Sequence, residues 1–333
     1  MTVTQDGVPA RDTKAPQTTP AAGSPAVSPL AYHDGEFVPL ERALLPVTTQ
    51  ALQYGTGVFE GIRAYAQRGG GLAVFRAEDH YRRLLRSCRT LRIDPGHTVE
   101  ELCALTAELL RRIGTQEDTY IRPLAYKRAL LPGQKPGVGL TGVSDALSVN
   151  AFRMGSYTDP AGIRCTISSW RRPSSDALPV RAKVTGGYVN NALAVDEARA
   201  AGCEDAILLN SRGQVAEAST SNVFAVLRGR LVTPPVTADL LEGITRDTAV
   251  TLAADLLDTP TDFRDLGRDE LMGADEVFLT GTGTEIVPVT EIAGRPVGEG
   301  VPGPLSTALR GAYQDVVRGG EPRYAHWLHP LNA

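Results

Sequence analysis

From Leu30 onward, apolar and polar positions alternate in short runs, and Asp34-Gly35 falls between two of them. That dipeptide readily takes the positive φ values of a two-residue turn, so a β-hairpin is predicted. Between Ala77 and Leu91 the period changes, with Leu84, Leu85, Cys88 and Leu91 recurring at helical spacing beside a basic face. This predicts an amphipathic helix, and Leu102, Leu105, Leu109 and Leu110 predict a second over 99–113. TYIRPLAY, 119–126, reads as a strand. In the second half, GYVNNALAVDEARAAG predicts a helix ended by Gly202, and DAILLN a buried strand. GQVAEASTSNVFAVLRGRLVTPP predicts a pair of strands joined at Arg228-Gly229. ITRDTAVTLAADLL reads as a helix with Val250, Leu252 and Leu256 or Leu257 inward, and DEVFLTGTGTEIVPV as strand, tight turn and strand.

At 333 residues, two domains of ordinary size are expected. Residues 1–28 are rich in Pro, Ala, Thr, Ser and Gly and hold too little apolar surface to offset ordering entropy, so a disordered tail is expected there. The periodicities then suggest a small α+β domain over 29–152, a linker over 153–162 (GSYTDPAG breaks the pattern), and a larger domain over 163–333 with a mixed sheet or barrel and helices. GQKPGVGLTG, from Gly133 to Gly142, is too rich in Gly and Pro for an ordinary connection, and a binding or lid role suits it.

Composition narrows the function. A chain 42% hydrophobic and 22% charged is globular in character. With a net charge of -4 it has no basic excess to suit nucleic acid or an anionic membrane, which leaves small molecules or copies of itself as expected partners. No apolar run is long enough to span a bilayer and the start lacks an apolar signal core, so a cytoplasmic protein is expected. Cys88, Cys103, Cys165 and Cys203 are widely spaced and without His neighbours, which predicts free thiols and no metal site.

Four features suggest chemistry, each beside a plainer reading. Lys183 in VRAKVTGGY precedes paired glycines that let backbone approach a ligand, with Tyr188 close by; most lysines are simply solvated. EGITRDTAV puts Gly243 before a first helical turn bearing Thr245, a phosphate site or an ordinary N-cap. GTGTE, 281–285, is an anion nest or a common strand turn. YGTGVFEGIRAY, 54–65, crowds aromatics, glycines, Glu60 and Arg63 into twelve positions, more than an apolar strand face explains. Together they offer a Schiff-base lysine, two anion nests and an aromatic pocket, the inventory of a pyridoxal 5'-phosphate (PLP) enzyme.

The same segments, YGTGVFEGIRAY, TYIRPLAY, the Lys183 segment, GITRD and GTGTEIVPV, resemble in order and spacing the fold type IV, or class IV, PLP aminotransferases, and within them the branched-chain amino acid aminotransferases. The resemblance runs from about Tyr32 to near Tyr324. It implies a two-domain fold, a smaller α/β N-terminal domain and a larger one with a barrel-like sheet. It implies that Lys183 carries PLP and later moves the proton at the substrate α-carbon, and that Glu217 faces the pyridine nitrogen. Tyr188 would hydrogen-bond the ring oxygen, while Arg83, Ile244, Thr245 and Thr282 would hold the phosphate. Thr282 and Gly283 would receive the substrate α-carboxylate, Phe59 and Tyr157 would form apolar walls, and Tyr54 with Arg122 would receive glutamate's distal carboxylate. The implied reaction is ping-pong transfer from leucine, isoleucine or valine to 2-oxoglutarate, in a homodimer or larger assembly with the 133–142 loop near the interface. Relatives acting on D-amino acids, an unusual amino acid or aminodeoxychorismate are the alternative, and a non-catalytic binding protein a third. Lys127 and Arg128 stand where relatives tend to be apolar or glycine, and Met154 where an aromatic can occur.

Overall fold

The Asp34-Gly35 turn, at φ 57° and 91°, joins strands β1 (Leu30–His33) and β2 (Glu36–Pro39) and opens one edge of an eight-stranded antiparallel sheet. We describe a computed structural model of the chain over residues 29–129, 137–156 and 158–331, so the tail at 1–28, residues 130–136 with the first part of the 133–142 loop, Tyr157 and residues 332–333 lie outside the described residues. A short helix α1 (Gln50–Tyr54) precedes β3 (Gly57–Phe59), β4 (Ile62–Ala66) and β5 (Leu72–Phe75). Helices α2 (Ala77–Thr90) and α3 (Val99–Ile113) follow, then the long pair β6 (Thr119–Lys127) and β7 (Asp145–Arg153). The two helices lie on the sheet as their periodicity predicts. Tyr81, Leu84 and Cys88 of α2 and Leu102, Leu109 and Leu110 of α3 share one core with Val58, Ile62 and Ile121. Each fully buried leucine contributes about 1.5–3 kcal/mol by leaving water. A reciprocal Thr98–Glu101 cap starts α3, and Gly114 at φ 70° ends it.

Residues 154–162 carry the chain to a second, nine-stranded mixed sheet. Its strands are β8 (Ile163–Arg171), β9 (Asp205–Leu209), β10 (Val215–Ala218), β11 (Asn222–Leu227), β12 (Arg230–Thr233), β13 (Thr261–Phe263), β14 (Glu276–Gly281), β15 (Glu285–Ile292) and β16 (Arg295–Pro296). β8 runs parallel to both β9 and β15, as β12 does to β13. Helices α4 (Tyr188–Ala200), α5 (Ile244–Leu257), α6 (Arg268–Met272) and α7 (Pro304–Val317) complete this half. A last strand, β17 (Leu328–Pro330), returns to pair with β5 of the first sheet.

One expectation is corrected. Residues 214–235 form three strands, not a pair, because the chain turns at Ser219–Ser221, closed by Ala218 N donating to Ser221 O over 2.7 Å. Val215–Ala218 is buried on both faces, so no alternation marked it as separate. Between the sheets, Tyr65 and Phe75 of the first pack with Phe224, Phe278 and Tyr313 of the second half. All four cysteines are free and buried, and no described helix is long and apolar enough to cross a membrane.

Candidate active site

After β8 the chain runs irregularly to Lys183, where it lies against β3. Phe59 N donates to Lys183 O over 3.1 Å, Lys183 N donates to Ser87 Oγ over 3.1 Å, and Val58 bridges Val184. The glycines that follow are required by closeness: a Cβ on Gly55, already at φ 67°, would sit 2.6 Å from Gly186 Cα. With its backbone held on both sides, Lys183 extends Nζ to the Tyr188 hydroxyl at 2.6 Å, over the rings of Phe59 and Tyr188 at 5.0 and 5.1 Å from their centroids.

Lys183 stands between two cavities. The first, of about 520 Å³, is lined by Lys183, Tyr188, Glu217, Arg83, Ile244, Thr245 and Thr282, among others. At one end Glu217, 5% exposed, takes Arg172 Nε at 2.8 Å, Asn222 Nδ2 at 3.2 Å and Leu241 N at 3.1 Å. Burial pushes its carboxyl up, against the opposing charge of Arg172. At the other end α5 begins on Gly243, an N-cap without a side-chain acceptor. A Cβ there would fall 2.0 Å from Asn222 Oδ1, so the position that opens the helix terminus must stay glycine while Asn222 holds Glu217. The Thr280 hydroxyl in the wall is buried without a partner. Free helix-terminal amides with an arginine and hydroxyls suit a phosphate, and the carboxylate opposite suits a cationic nitrogen.

The second cavity, of about 680 Å³, is lined by Phe59, Gly61, Tyr120, Arg122, Phe152, Met154, Lys183, Tyr188, Thr220, Thr282 and Gly283. Arg122 donates from Nη2 to Tyr120 OH at 2.9 Å and lies 4.7 Å from the Phe59 ring centroid. Its Nε is buried without a partner. An apolar wall thus carries a cation with donors to spare.

The structure brings together Lys183, Tyr188, Glu217, Arg83, Ile244, Thr245, Thr282, Gly283, Phe59 and Arg122. It does not bring Tyr54 in: that side chain ends α1, 43% exposed, and lines neither cavity. The phenol beside Arg122 is Tyr120, two residues away on the same face of β6. That spacing was readable in TYIRPLAY. Arg172, the partner of Glu217, had no such signal, since WRRPSS reads as solvated. Lys127 and Arg128 turn away from both cavities. Lys127, 2% exposed, donates to Arg92 O at 2.6 Å and pairs with Asp145 at 2.8 Å, and Arg128 pairs with Asp34. Among the described residues no His, Cys, Asp and Glu group could hold a metal.

Below the first cavity, Arg83 forks onto Glu60, which also takes His80 Nδ1 at 2.8 Å. Burial would raise the Glu60 carboxyl, but the charge and hydrogen bonds of Arg83, with the hydrogen bond from His80, outweigh it and hold it well below the usual range. Burial lowers His80, with Glu60 only partly opposing, so the folded ring is neutral. As pH falls through about 6.5 the unfolded chain takes a proton there that the folded chain refuses, so stability is lost on acidification. The unfolding free energy should fall by up to about 1.4 kcal/mol per pH unit as the pH drops below about 6.5. Denaturant titrations should show a shallower fall in His80→Gln, and equal slopes would refute the assignment.

Comparison with known proteins gives a consistent picture. The family described as amino-transferase class IV matches residues 57–292. A probable branched-chain-amino-acid aminotransferase of Aquifex aeolicus is 42% identical over 303 residues, 90% of this chain and 96% of the relative. The branched-chain-amino-acid aminotransferase of Salmonella typhimurium is 36% identical over 308 residues, 91% of this chain and 97% of that one. Among solved structures, the branched-chain aminotransferase of Thermoproteus uzoniensis with norvaline matches with a TM-score of 0.85 at 42% identity, covering 91% of this chain and 99% of that one. The branched-chain amino acid aminotransferase of Thermobaculum terrenum, in its PLP form, matches with 0.86 at 36% identity, covering 92% of this chain and 100% of that one.

Proposed function

Because the chain belongs to the class IV amino-transferases, with their two-part, mixed α and β architecture, we infer that it is a branched-chain-amino-acid aminotransferase. It exchanges the amino group of leucine, isoleucine or valine, with 2-oxoglutarate as the acceptor that leaves as glutamate. The observation that carries this reading is Arg122 in the aromatic wall of a cavity opening on Lys183. Such a pocket takes a branched aliphatic group against Phe59 and Tyr120 and a distal carboxylate on the spare donors of Arg122.

The donor set of the first cavity fits PLP: Arg83, Ile244, Thr245 and Thr282 for the phosphate, Glu217 for the ring nitrogen, Tyr188 for the ring oxygen and Lys183 for covalent attachment. Bound there, PLP supplies the electron sink for charge that develops at the substrate α-carbon. Lys183 Nζ takes the proton from that carbon in the first half-reaction and returns one to the new amino acid in the second, with Tyr188 OH orienting it. Arg172, Asn222 and the Leu241 amide hold the Glu217 carboxylate in one orientation. Thr282 and Gly283 would receive the α-carboxylate at the boundary of both cavities. Exposed Leu44, Val47, Leu52 and Tyr54 around α1 support a homodimer, and four free buried thiols support a cytoplasmic setting.

Arg122→Met tests the shared pocket. A lost charge-assisted contact of about 1.5–3 kcal/mol should raise KM for 2-oxoglutarate by roughly 10- to 150-fold, while KM for leucine changes about threefold at most. Initial-rate measurements check this, and equal changes in both would remove Arg122 from its role.

A further inference from the structure

Arg83 is committed on two sides before any ligand arrives. Its Nε and Nη2 donate to the two Glu60 oxygens at 2.7 and 2.8 Å, and Nη1 donates to the Glu242 carbonyl at 2.7 Å, next to the Gly243 cap of α5. A guanidinium carries five N–H groups, so one remains on each terminal nitrogen. Glu60 is fully buried and lines neither cavity, yet it organises both. Its Oε2 also accepts from His80 Nδ1 at 2.8 Å and from the Gly61 amide at 3.3 Å, and Gly61 lines the second cavity. Its own amide donates to Pro123 O at 3.0 Å, which fixes the carboxylate to the β3–β6 pair.

A buried arginine needs a counter-charge, and an ordinary core ion pair would supply one. The bidentate geometry does more. Both Glu60 oxygens meet the Nε–Nη2 edge, which fixes the plane of the guanidinium, while Glu242 O constrains Nη1. We propose that Glu60 is a positioning residue that aligns the two remaining N–H groups of Arg83 for the phosphate and ties that grip to the Gly61 edge of the substrate cavity. This rests on the reading of Arg83 as a phosphate ligand.

The test compares Kd for PLP with Kd for pyridoxal, which lacks the phosphate, by absorbance titration of the cofactor-free full chain. Glu60→Asp keeps the charge but is one methylene too short for the fork, and Glu60→Gln keeps the length but loses the charge. In Glu60→Asp the preference for PLP over pyridoxal should fall about tenfold, as should that of Glu60→Gln, pyridoxal binding staying within about threefold of the unaltered protein. A Glu60→Asp variant whose preference stays within about twofold, whether both ligands weaken or neither does, overturns the proposal and leaves Glu60 a core counter-charge. Arg83→Lys is the separate control. If it leaves the preference unchanged, Arg83 is no phosphate ligand and the premise itself falls.

Discussion

Replacing Lys183 by alanine is expected to abolish transamination, with kcat at least about 10⁴-fold lower, because on the proposed reading one group both attaches the cofactor and moves the proton. The fold should survive. The hydrogen bonds that seat this segment, to Ser87 Oγ and from Phe59 N, are made by the Lys183 backbone, and the side chain donates to Tyr188 OH. The unfolding free energy should therefore stay within about 0.5 kcal/mol. Turnover with leucine, beside a denaturant melt, checks both halves. Retained turnover would move the catalytic amine elsewhere, and none of the other described residues lining either cavity is a lysine.

Glu217→Gln carries the second large effect. The amide can keep contacts to Asn222 and Leu241 but loses the charge proposed to face the ring nitrogen and strands Arg172, which is 8% exposed. Breaking a buried pair from one side costs about 3–5 kcal/mol, so stability should drop toward the lower figure. Losing a preorganised charge in the site should lower kcat by about 10²–10³-fold. Arg172→Met separates the two effects, because it leaves the carboxyl present but removes the largest charge that opposes burial, which moves it toward the protonated form. Both variants should be slow. A Glu217→Gln enzyme with unchanged kcat would deny the carboxylate its role.

What the sequence could say depended on how local each signal was. The α2, α3 and α5 segments announce themselves by one-sided leucines and, in α3, by a reciprocal cap within four residues. Helix α7 carried comparable spacing in Leu309, Tyr313, Val316 and Val317, but Gly311 and scattered polar residues masked it. β17 is three residues paired with a strand some 250 positions earlier, and nothing local encodes such a partner. β8 holds Arg164, Ser169 and Arg171 among its apolar residues, since only part of it is buried.

The site divides the same way. Lys183, Glu217, Gly243–Thr245 and Thr282 lie in short motifs whose chemistry is legible in line, whereas the network behind them is not. Arg172 reaches Glu217 across 45 positions, and Glu60 reaches His80 and Arg83 across 20 and 23. Lys127, a charge where relatives tend to be apolar or glycine, shows the same limit, because its ammonium is consumed by Asp145 and by backbone carbonyls that anchor the end of β6.

Ping-pong exchange between a branched-chain amino acid and 2-oxoglutarate is tested most directly by initial rates of glutamate formation with PLP present, varying L-leucine at several fixed concentrations of 2-oxoglutarate. Parallel double-reciprocal lines with stoichiometric 4-methyl-2-oxopentanoate are the expected result. Absence of glutamate from leucine, isoleucine and valine alike, in protein that has taken up the cofactor, would contradict it.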